Sequence, residues 1–121
     1  MSREIITIKE RHHDQVLASA VESEHVQLFE GAWYFDADHV DMSHLVITER
    51  TYVCPYKGTC YWIDLKLPGY EAQDVAFTYF KVHPGYEFVH NKFGFYAGAR
   101  EATYEETAVI TDTIIANDAT A

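Results

Sequence analysis

Hydrophobic and polar positions alternate along this chain in short runs that are separated by turn residues. Residues 61–67 alternate most clearly, and the run ends at Pro68 and Gly69, which together favour a turn. Further candidate strands lie at residues 4–8, 15–19, 26–30, 33–35, 75–80, 92–96 and 107–115, and the last of these is dense in β-branched residues. A series of about seven or eight short strands, with turn residues roughly every 8–12 positions, is typical of a small sandwich or barrel. The pattern therefore predicts an all-β domain.

Residues 37–45 break this alternation. Asp38 is a residue type that caps helices, and Val40, Ser43 and His44 are spaced to share one face of a single helical turn. We therefore expect a short helical turn here, inserted among the strands.

The composition is that of one globular domain. The chain has 121 residues, of which 48% are hydrophobic and 15% aromatic, enough to build a core. No repeat or linker divides it. We expect a single domain over residues 1–121, with a C-terminal strand at about 107–115 and a frayed tail at 116–121.

The charge balance limits the kinds of partner. The formal net charge is -10, whereas phosphate binding needs clustered Lys and Arg. We therefore expect no nucleic acid partner, and an anionic membrane would repel the chain. No signal-peptide pattern is present, and no apolar stretch approaches the roughly 18 residues that span a bilayer. The sequence predicts a cytoplasmic protein.

The most informative segment is residues 52–62, which place two cysteines and a lysine in one bend flanked by aromatic residues. Pro55 and Gly58 favour a tight turn between two strands, which would hold Cys54 close to Lys57. This arrangement fits a reactive centre, a ligand clamp or a hydrophobic corner. Two cysteines do not make a disulfide framework, and a reducing compartment would keep both as thiols.

Four segments together resemble a known family. Residues 29–35, 54–59, 74–79 and 93–96 occur in the order found in the bacterial and cyanobacterial domain of unknown function 427 family. The resemblance covers about residues 15–98. It implies a small all-β fold of the β-tent (Mss4-like) type, with two antiparallel sheets meeting at an angle and one or two short helical turns. Methionine sulfoxide reductase B domains have a similar topology. The family has no agreed activity, so the resemblance implies a fold and candidate residues but no reaction.

The resemblance also selects residues. Those shared with the family pattern are Glu30, Tyr34, Cys54, Tyr56, Lys57 and Gly58. Three positions depart from it: Asp36 stands where Pro is usual, Phe77 where Trp is usual, and Cys60 where a small residue such as Ala is usual. These departures leave the ligand preference open.

The catalytic candidates are Cys54, Lys57 and Glu30. An ammonium group near a thiol lowers the thiol pKa and raises the thiolate fraction that a nucleophile needs. Glu30 could supply an acid or base if a neighbouring strand brings it to the bend. The structural alternative makes Cys54 a small buried hydrophobe and Lys57 the partner of Glu30 in a stabilising ion pair. The candidates for binding a ligand are Tyr34, Tyr56, Gly58, Tyr61 and Tyr79.

Neither a metal nor another cofactor is expected. Relatives with the β-tent fold commonly hold zinc with two Cys-x-x-Cys pairs, whereas this chain has only Cys54 and Cys60, and a structural zinc site needs four ligands. Four histidines lack ligand spacing on a shared face, namely His39, His44, His83 and His90. We expect a metal-free domain whose hydrophobic core takes the place of the zinc. A redox pair formed by the two cysteines is a further alternative, peculiar to this chain.

Two functions follow from these candidates. The first is a pocket around the bend from Cys54 to Lys57 that binds or acts on a small polar organic molecule, with aromatic walls and polar anchors at Lys57 and Glu30. The second is a non-catalytic module whose aromatic face docks a protein partner or a second copy of the chain, as a homodimer. The sequence leaves open whether the protein is an enzyme.

Overall fold

The computed structural model describes residues 2–111 of the chain, and these residues form an all-β domain with short 3₁₀ turns. The strands, numbered in chain order, are β1 (Ser2–Glu10), β2 (Val16–Val21), β3 (Val26–Phe29), β4 (Ala32–Phe35), β5 (Leu45–Cys54), β6 (Gly58–Leu67), β7 (Tyr70–Val82), β8 (Phe93–Tyr96) and β9 (Thr103–Thr111). The 3₁₀ turns are Ala37–His39, Met42–His44 and Glu87–Val89. Among the described residues, no helix is long and apolar enough to cross a membrane.

The strands form two antiparallel sheets. The small sheet has the order β2-β1-β9, and the large sheet has the order β3-β4-β8-β7-β6-β5. This arrangement confirms the predicted all-β class. The narrower assignment to the β-tent type stays a prediction.

The main hydrophobic core joins side chains of the small sheet to one face of the large sheet. Ile6 and Ile8 of β1 are fully buried in it, as are Ile63 and Leu65 of β6. Their spacing of two residues is the alternation that a strand with one core face requires. Burying such side chains stabilises the fold by about 1.5–3 kcal/mol each.

The opposite face of the large sheet carries a second apolar cluster. Its buried members are Ala32, Tyr34, Cys54, Cys60, Phe77, Tyr79 and Val89. Neighbouring positions on β4 illustrate the division, because Trp33 and Phe35 belong to the main core whereas Ala32 and Tyr34 belong to this cluster. Both faces of the large sheet are therefore apolar.

Ion pairs and bulges shape the end of the large sheet where β5, β6 and β7 run side by side. The strand register shifts between Ile47 and Thr51 and again between Ile63 and Leu65. The Arg50 guanidinium donates hydrogen bonds to the carboxylates of both Asp64 and Asp74. Because bulges bend a strand and increase its twist, these shifts curve the sheet, and Arg50 links the three strands across them.

The structure corrects three boundaries expected from the sequence. Residues 37–45 contain two 3₁₀ turns, and the predicted cap at Asp38 is wrong, because this residue lies inside the first turn. The capping carboxylate is that of Asp41, which accepts the Ser43 N–H at 3.0 Å. The last strand begins at Thr103, earlier than the predicted 107, while the rest of its predicted span at 112–115 and the predicted tail at 116–121 lie outside the described residues.

Candidate functional site

A cavity of about 320 Å³ opens on the second apolar face of the large sheet. We call it the aromatic cavity. Its lining residues come from five strands and two turns, and they are Glu30, Ala32, Tyr52, Lys57, Cys60, Trp62, Phe77, Tyr79 and Tyr96. A second depression, of about 360 Å³, adjoins it across Tyr96 and is lined largely by polar residues such as Glu71, Arg100 and Glu101. The aromatic cavity is the stronger candidate because it combines apolar walls with a mostly buried cation.

Strand register builds the aromatic wall. Trp62 of β6 lies opposite Phe77 of β7, and Phe77 lies opposite Gly94 of β8. Because directly opposite side chains point to the same face, the two rings become neighbours, with centroids 5.8 Å apart in an edge-to-face arrangement. Tyr96 adds a ring whose centroid lies 5.4 Å from that of Phe77.

Gly94 makes room for the Phe77 ring. A Cβ atom at this position would lie 2.4 Å from Cε2 of Phe77, far inside normal contact distance. The absence of a side chain therefore determines where the ring sits, and with it the depth of the cavity.

The bend between β5 and β6 positions Lys57. Gly58 adopts a φ of +130°, and a Cβ there would come within 2.2 Å of the Lys81 carbonyl oxygen, so the bend requires glycine. The Lys57 N–H donates to the Cys54 Sγ at 3.4 Å, and the Lys57 carbonyl accepts the His83 N–H at 2.9 Å. With both of its backbone groups bonded, Lys57 is held firmly in place. The tight bend that the sequence predicted does bring Cys54 and Lys57 together.

The Lys57 ammonium is mostly buried and is paired with a carboxylate. Only 14% of the side chain is exposed, and Nζ lies 2.8 Å from Oε1 of Glu30. The same atom sits 5.5 Å from the ring centroid of Tyr79 and 5.7 Å from that of Phe29, within the range of cation–π attraction. Burial lowers the pKa of Lys57, but the hydrogen bond to Glu30 and the electrostatic effects of Glu30, Tyr34 and Tyr79 together raise this pKa above its ordinary value. Lys57 is therefore a fixed cation at neutral pH, suited to holding an anion and unsuited to acting as a base.

Glu30 occupies an unusual backbone position. It forms the two-residue turn between β3 and β4 together with Gly31, and both residues have positive φ, at +51° and +77°. Two positive φ values are the pattern of a type I′ hairpin, in which Asn and Gly are the favoured residues. The Glu30 side chain is 58% exposed, so its carboxylate meets Lys57 at the rim of the cavity.

The phenols at this site stay neutral. Burial raises the pKa of Tyr79, and it also raises the pKa of Tyr34, although the Lys57 ammonium acts in the opposite direction on both groups. Tyr34 is buried beneath the cavity, edge-to-face against Phe77 at 5.7 Å. A neutral phenol keeps its proton and can donate a hydrogen bond.

The two cysteines lie in different surroundings, and both are free thiols. Burial opposes ionisation of Cys54, but the N–H groups of Lys57 and Tyr56 and the Lys57 ammonium hold the pKa of this thiol below its ordinary value. Burial raises the pKa of the Cys60 thiol. The register places Cys54 opposite Gly58 and Cys60 opposite Tyr52, so the two thiols are not a directly opposed pair.

The predicted site residues are distributed as follows. Lys57, Glu30 and Tyr79 line the aromatic cavity. Cys54, Gly58 and Tyr34 adjoin it without lining it. Two residues lie elsewhere. Tyr56 is 72% exposed at the tip of the bend, and Tyr61 packs against Phe80 on the opposite face of the sheet at 5.4 Å.

Sequence reasoning missed part of the cavity wall. The lining residues that were not among the site candidates are Ala32, Tyr52, Cys60, Trp62, Phe77 and Tyr96. One signal was present: alternation along β6 puts Cys60 and Trp62 on one face and Tyr61 on the other. The hydrophobic pattern does not show which of these two faces packs against the main core.

The histidines considered as metal ligands are dispersed. His39 stacks on His25 with ring centroids 4.2 Å apart, whereas the ring of His90 bonds the Phe80 carbonyl at 3.1 Å. Within residues 2–111, no group of three or more His, Cys, Asp or Glu side chains is placed to hold a metal ion.

Comparison with known proteins identifies a family. The family model described as "Domain of unknown function (DUF427)" matches residues 3–106, most of the chain. No curated protein matches the sequence.

Proposed function

We propose that this chain, which belongs to the domain of unknown function 427 family, binds a small organic molecule in its aromatic cavity. The observation that supports the proposal most strongly is the union of aromatic walls with the mostly buried Lys57 ammonium. Ligand sites in proteins are typically concave and apolar, with a few polar groups that orient the ligand. Lys57, Glu30 and the Tyr79 phenol are those groups here.

The size of the cavity restricts the ligand. Known ligand pockets range over about 300–1,000 Å³, so a volume of about 320 Å³ suits a molecule with one or two rings. The walls favour a planar ring, since Trp62, Phe77 and Tyr96 offer edges and faces for aromatic contacts.

The proposal is for binding, because the groups in the cavity are poorly suited to catalysis. Lys57 is held as a cation by Glu30, and the Cys60 thiol is held protonated by burial. Cys54, the thiol with the lowered pKa, adjoins the cavity but does not line it. The proposal includes the predicted cytoplasmic location, where a reducing environment keeps thiols free.

Trp62 provides a direct test, because it lines the cavity while the other tryptophan, Trp33, is buried in the main core. We would titrate the protein with benzoate, benzyl alcohol and benzylamine and follow tryptophan fluorescence and ligand-observed saturation-transfer NMR. At about 0.4 kcal/mol per non-hydrogen atom, a probe of this size binds with a Kd in the millimolar range.

We expect at least one probe to saturate the signal. The fluorescence change should disappear in Trp62→Phe, and binding should be lost in Ala32→Leu, which fills the cavity. Tyr61→Phe, on the opposite face of the same strand, is the matched control and should bind normally. If all three probes fail to bind at concentrations well above the millimolar range, the proposal is wrong.

A second candidate function is self-association through the edge of the large sheet. Three apolar side chains at this edge are more than half exposed, namely Tyr52, Val53 and Tyr56. They belong to edge strand β5 and to the bend that follows it, and an exposed edge strand can pair with another chain. Sedimentation velocity would test it: we expect a concentration-dependent dimer that Val53→Lys abolishes. A protein that stays monomeric at high concentration would rule this function out.

A further inference from the structure

We infer that the ligand of the aromatic cavity is a small aromatic carboxylate, and that its carboxylate replaces Glu30 as the partner of the Lys57 ammonium. The inference rests on the proposed function and adds the chemical class of the ligand. While the cavity is empty, the Glu30 carboxylate pairs with the Lys57 ammonium in place of the ligand carboxylate.

The hydrogen-bonding capacity of Lys57 supports this class. An ammonium group has three N–H donors; Nζ of Lys57 donates to Glu30 at 2.8 Å, and the Tyr34 phenol is a second hydrogen-bonding neighbour. This leaves capacity for one more acceptor, at the wall of a cavity whose other lining groups are mostly aromatic rings. A carboxylate has two oxygens that accept such bonds, and charge-assisted hydrogen bonds are roughly twice as strong as neutral ones.

The same charge argues against the other ligand classes. A cationic ligand would bring a second positive charge next to Lys57, which attracts carboxylates and repels ammonium groups. A neutral ligand could bond to Lys57 or to the Tyr79 phenol, but it could not compensate the ammonium if it displaced Glu30. Only an anion can take the place of Glu30 without leaving a mostly buried charge unpaired.

Glu30 is placed so that it can leave at low cost. Its side chain is 58% exposed, so the released carboxylate turns into water without crossing the protein. Ion pairs with an exposed partner contribute little to stability, so losing the Glu30 pair costs little. A ligand carboxylate held inside the cavity is less screened by water and pairs more strongly with Lys57 than the exposed Glu30 does.

The backbone conformation at Glu30 also supports a role for its side chain as the partner of Lys57. With φ at +51° in a two-residue turn, this position favours Gly or Asn over glutamate. The turn therefore gains nothing from a glutamate backbone, and the specific contribution of the residue is its contact with Lys57.

The test is a titration of three matched probes against three variants. Benzoate, benzyl alcohol and benzylamine have nearly the same size and differ in charge. The proteins are the wild type, Glu30→Gln and Lys57→Met, with Glu24→Gln as the control variant. Glu24 is a surface carboxylate paired with Arg3 and not a lining residue, so its substitution changes the net charge equally without touching the cavity.

We expect the wild type to bind benzoate about tenfold more tightly than benzyl alcohol, and benzylamine least. Glu30→Gln should tighten benzoate binding by about three- to tenfold and leave benzyl alcohol unchanged, because it removes the competing carboxylate. Lys57→Met should abolish the preference for benzoate over benzyl alcohol. Glu24→Gln should behave as the wild type.

Two results would overturn the inference while leaving the proposed function intact: equal affinity for benzoate and benzyl alcohol, or benzoate binding that is unchanged or weaker in Glu30→Gln. Tighter binding of benzylamine than of benzoate would likewise overturn it and would make Glu30 the ligand-binding group. Failure of all probes to bind the wild type would instead refute the proposed function itself. Thermal unfolding of each variant confirms that the compared proteins are folded.

Discussion

Replacing Gly94 with alanine tests whether one missing side chain sets the shape of the cavity. The new Cβ would lie 2.4 Å from Cε2 and 2.6 Å from Cζ of Phe77. Carbon atoms in contact normally stay about 3.5–4.0 Å apart, so the ring has to move by roughly 1 Å. The rings of Tyr34, Trp62 and Tyr96 surround Phe77, which leaves the cavity as the open direction.

The expected cost is the difference between two effects. Overpacking a well-filled site typically costs about 1–3 kcal/mol, whereas replacing glycine with alanine at a compatible backbone position stabilises a protein by about 0.4–1 kcal/mol. We therefore expect Gly94→Ala to lower the free energy of unfolding by about 0.5–2 kcal/mol, which for a chain of this size lowers Tm by about 2–7 °C. Benzoate binding should weaken in parallel, because the displaced ring occupies the cavity.

Urea denaturation and the benzoate titration measure the two effects, and Phe77→Leu supplies the control. Leucine lacks the ring atoms that the new Cβ would meet, so Gly94→Ala should cost much less in a Phe77→Leu background than in the wild type. An equal cost in the two backgrounds would refute the reasoning. So would a Gly94→Ala protein with wild-type stability and wild-type benzoate affinity.

Three further predictions concern the bend and its charges. Gly58→Ala should lower the free energy of unfolding by about 2–4 kcal/mol in urea denaturation, because residue 58 has a positive φ and the new Cβ would collide with the rigid Lys81 carbonyl. A loss below about 1 kcal/mol would contradict this account. The pKa of Lys57 in the folded protein is raised above its ordinary value of 10.5. The charge of Lys57 therefore stabilises the fold fully below pH 10.5, and this stabilisation is lost as the pH rises through the folded-state pKa. The stability difference between the wild type and Lys57→Met should therefore shrink above pH 10.5 in thermal unfolding, and a difference that grows there would show the opposite sign. Iodoacetamide should modify Cys54 before Cys60, as resolved by peptide mass spectrometry, because the pKa of Cys54 is lowered and that of Cys60 is raised; preferential labelling of Cys60 would contradict the described surroundings of the two thiols.

Local features of the site could be predicted from the sequence. Pro55 and Gly58 indicated a tight bend joining two strands, and the structure confirms it between β5 and β6. The alternation over residues 61–67 indicated a strand, and β6 covers it. These predictions succeed because turn chemistry and side-chain alternation depend on neighbours in the sequence.

The residues that line the cavity were harder to predict from the sequence. Tyr61 and Trp62 are adjacent aromatic residues in the same strand, and the sequence treats them alike, yet Trp62 lines the cavity and Tyr61 faces the opposite side. Alternation separates the two faces of a strand but does not say which face meets the other sheet. Because both faces of the large sheet are apolar, hydrophobicity could not distinguish them either.

The sequence by itself determined the all-β class, the family and the bend that holds Lys57, since each depends on short segments read in order. Only the tertiary structure decided that Glu30, 27 residues earlier in the chain, reaches the Lys57 ammonium, and that Phe77 lies against Gly94. Those contacts result from pairing between strands that are distant in sequence, in the order β4-β8-β7-β6. A binding cavity built from such pairs is a property of strand order and register, which no single segment of the chain contains.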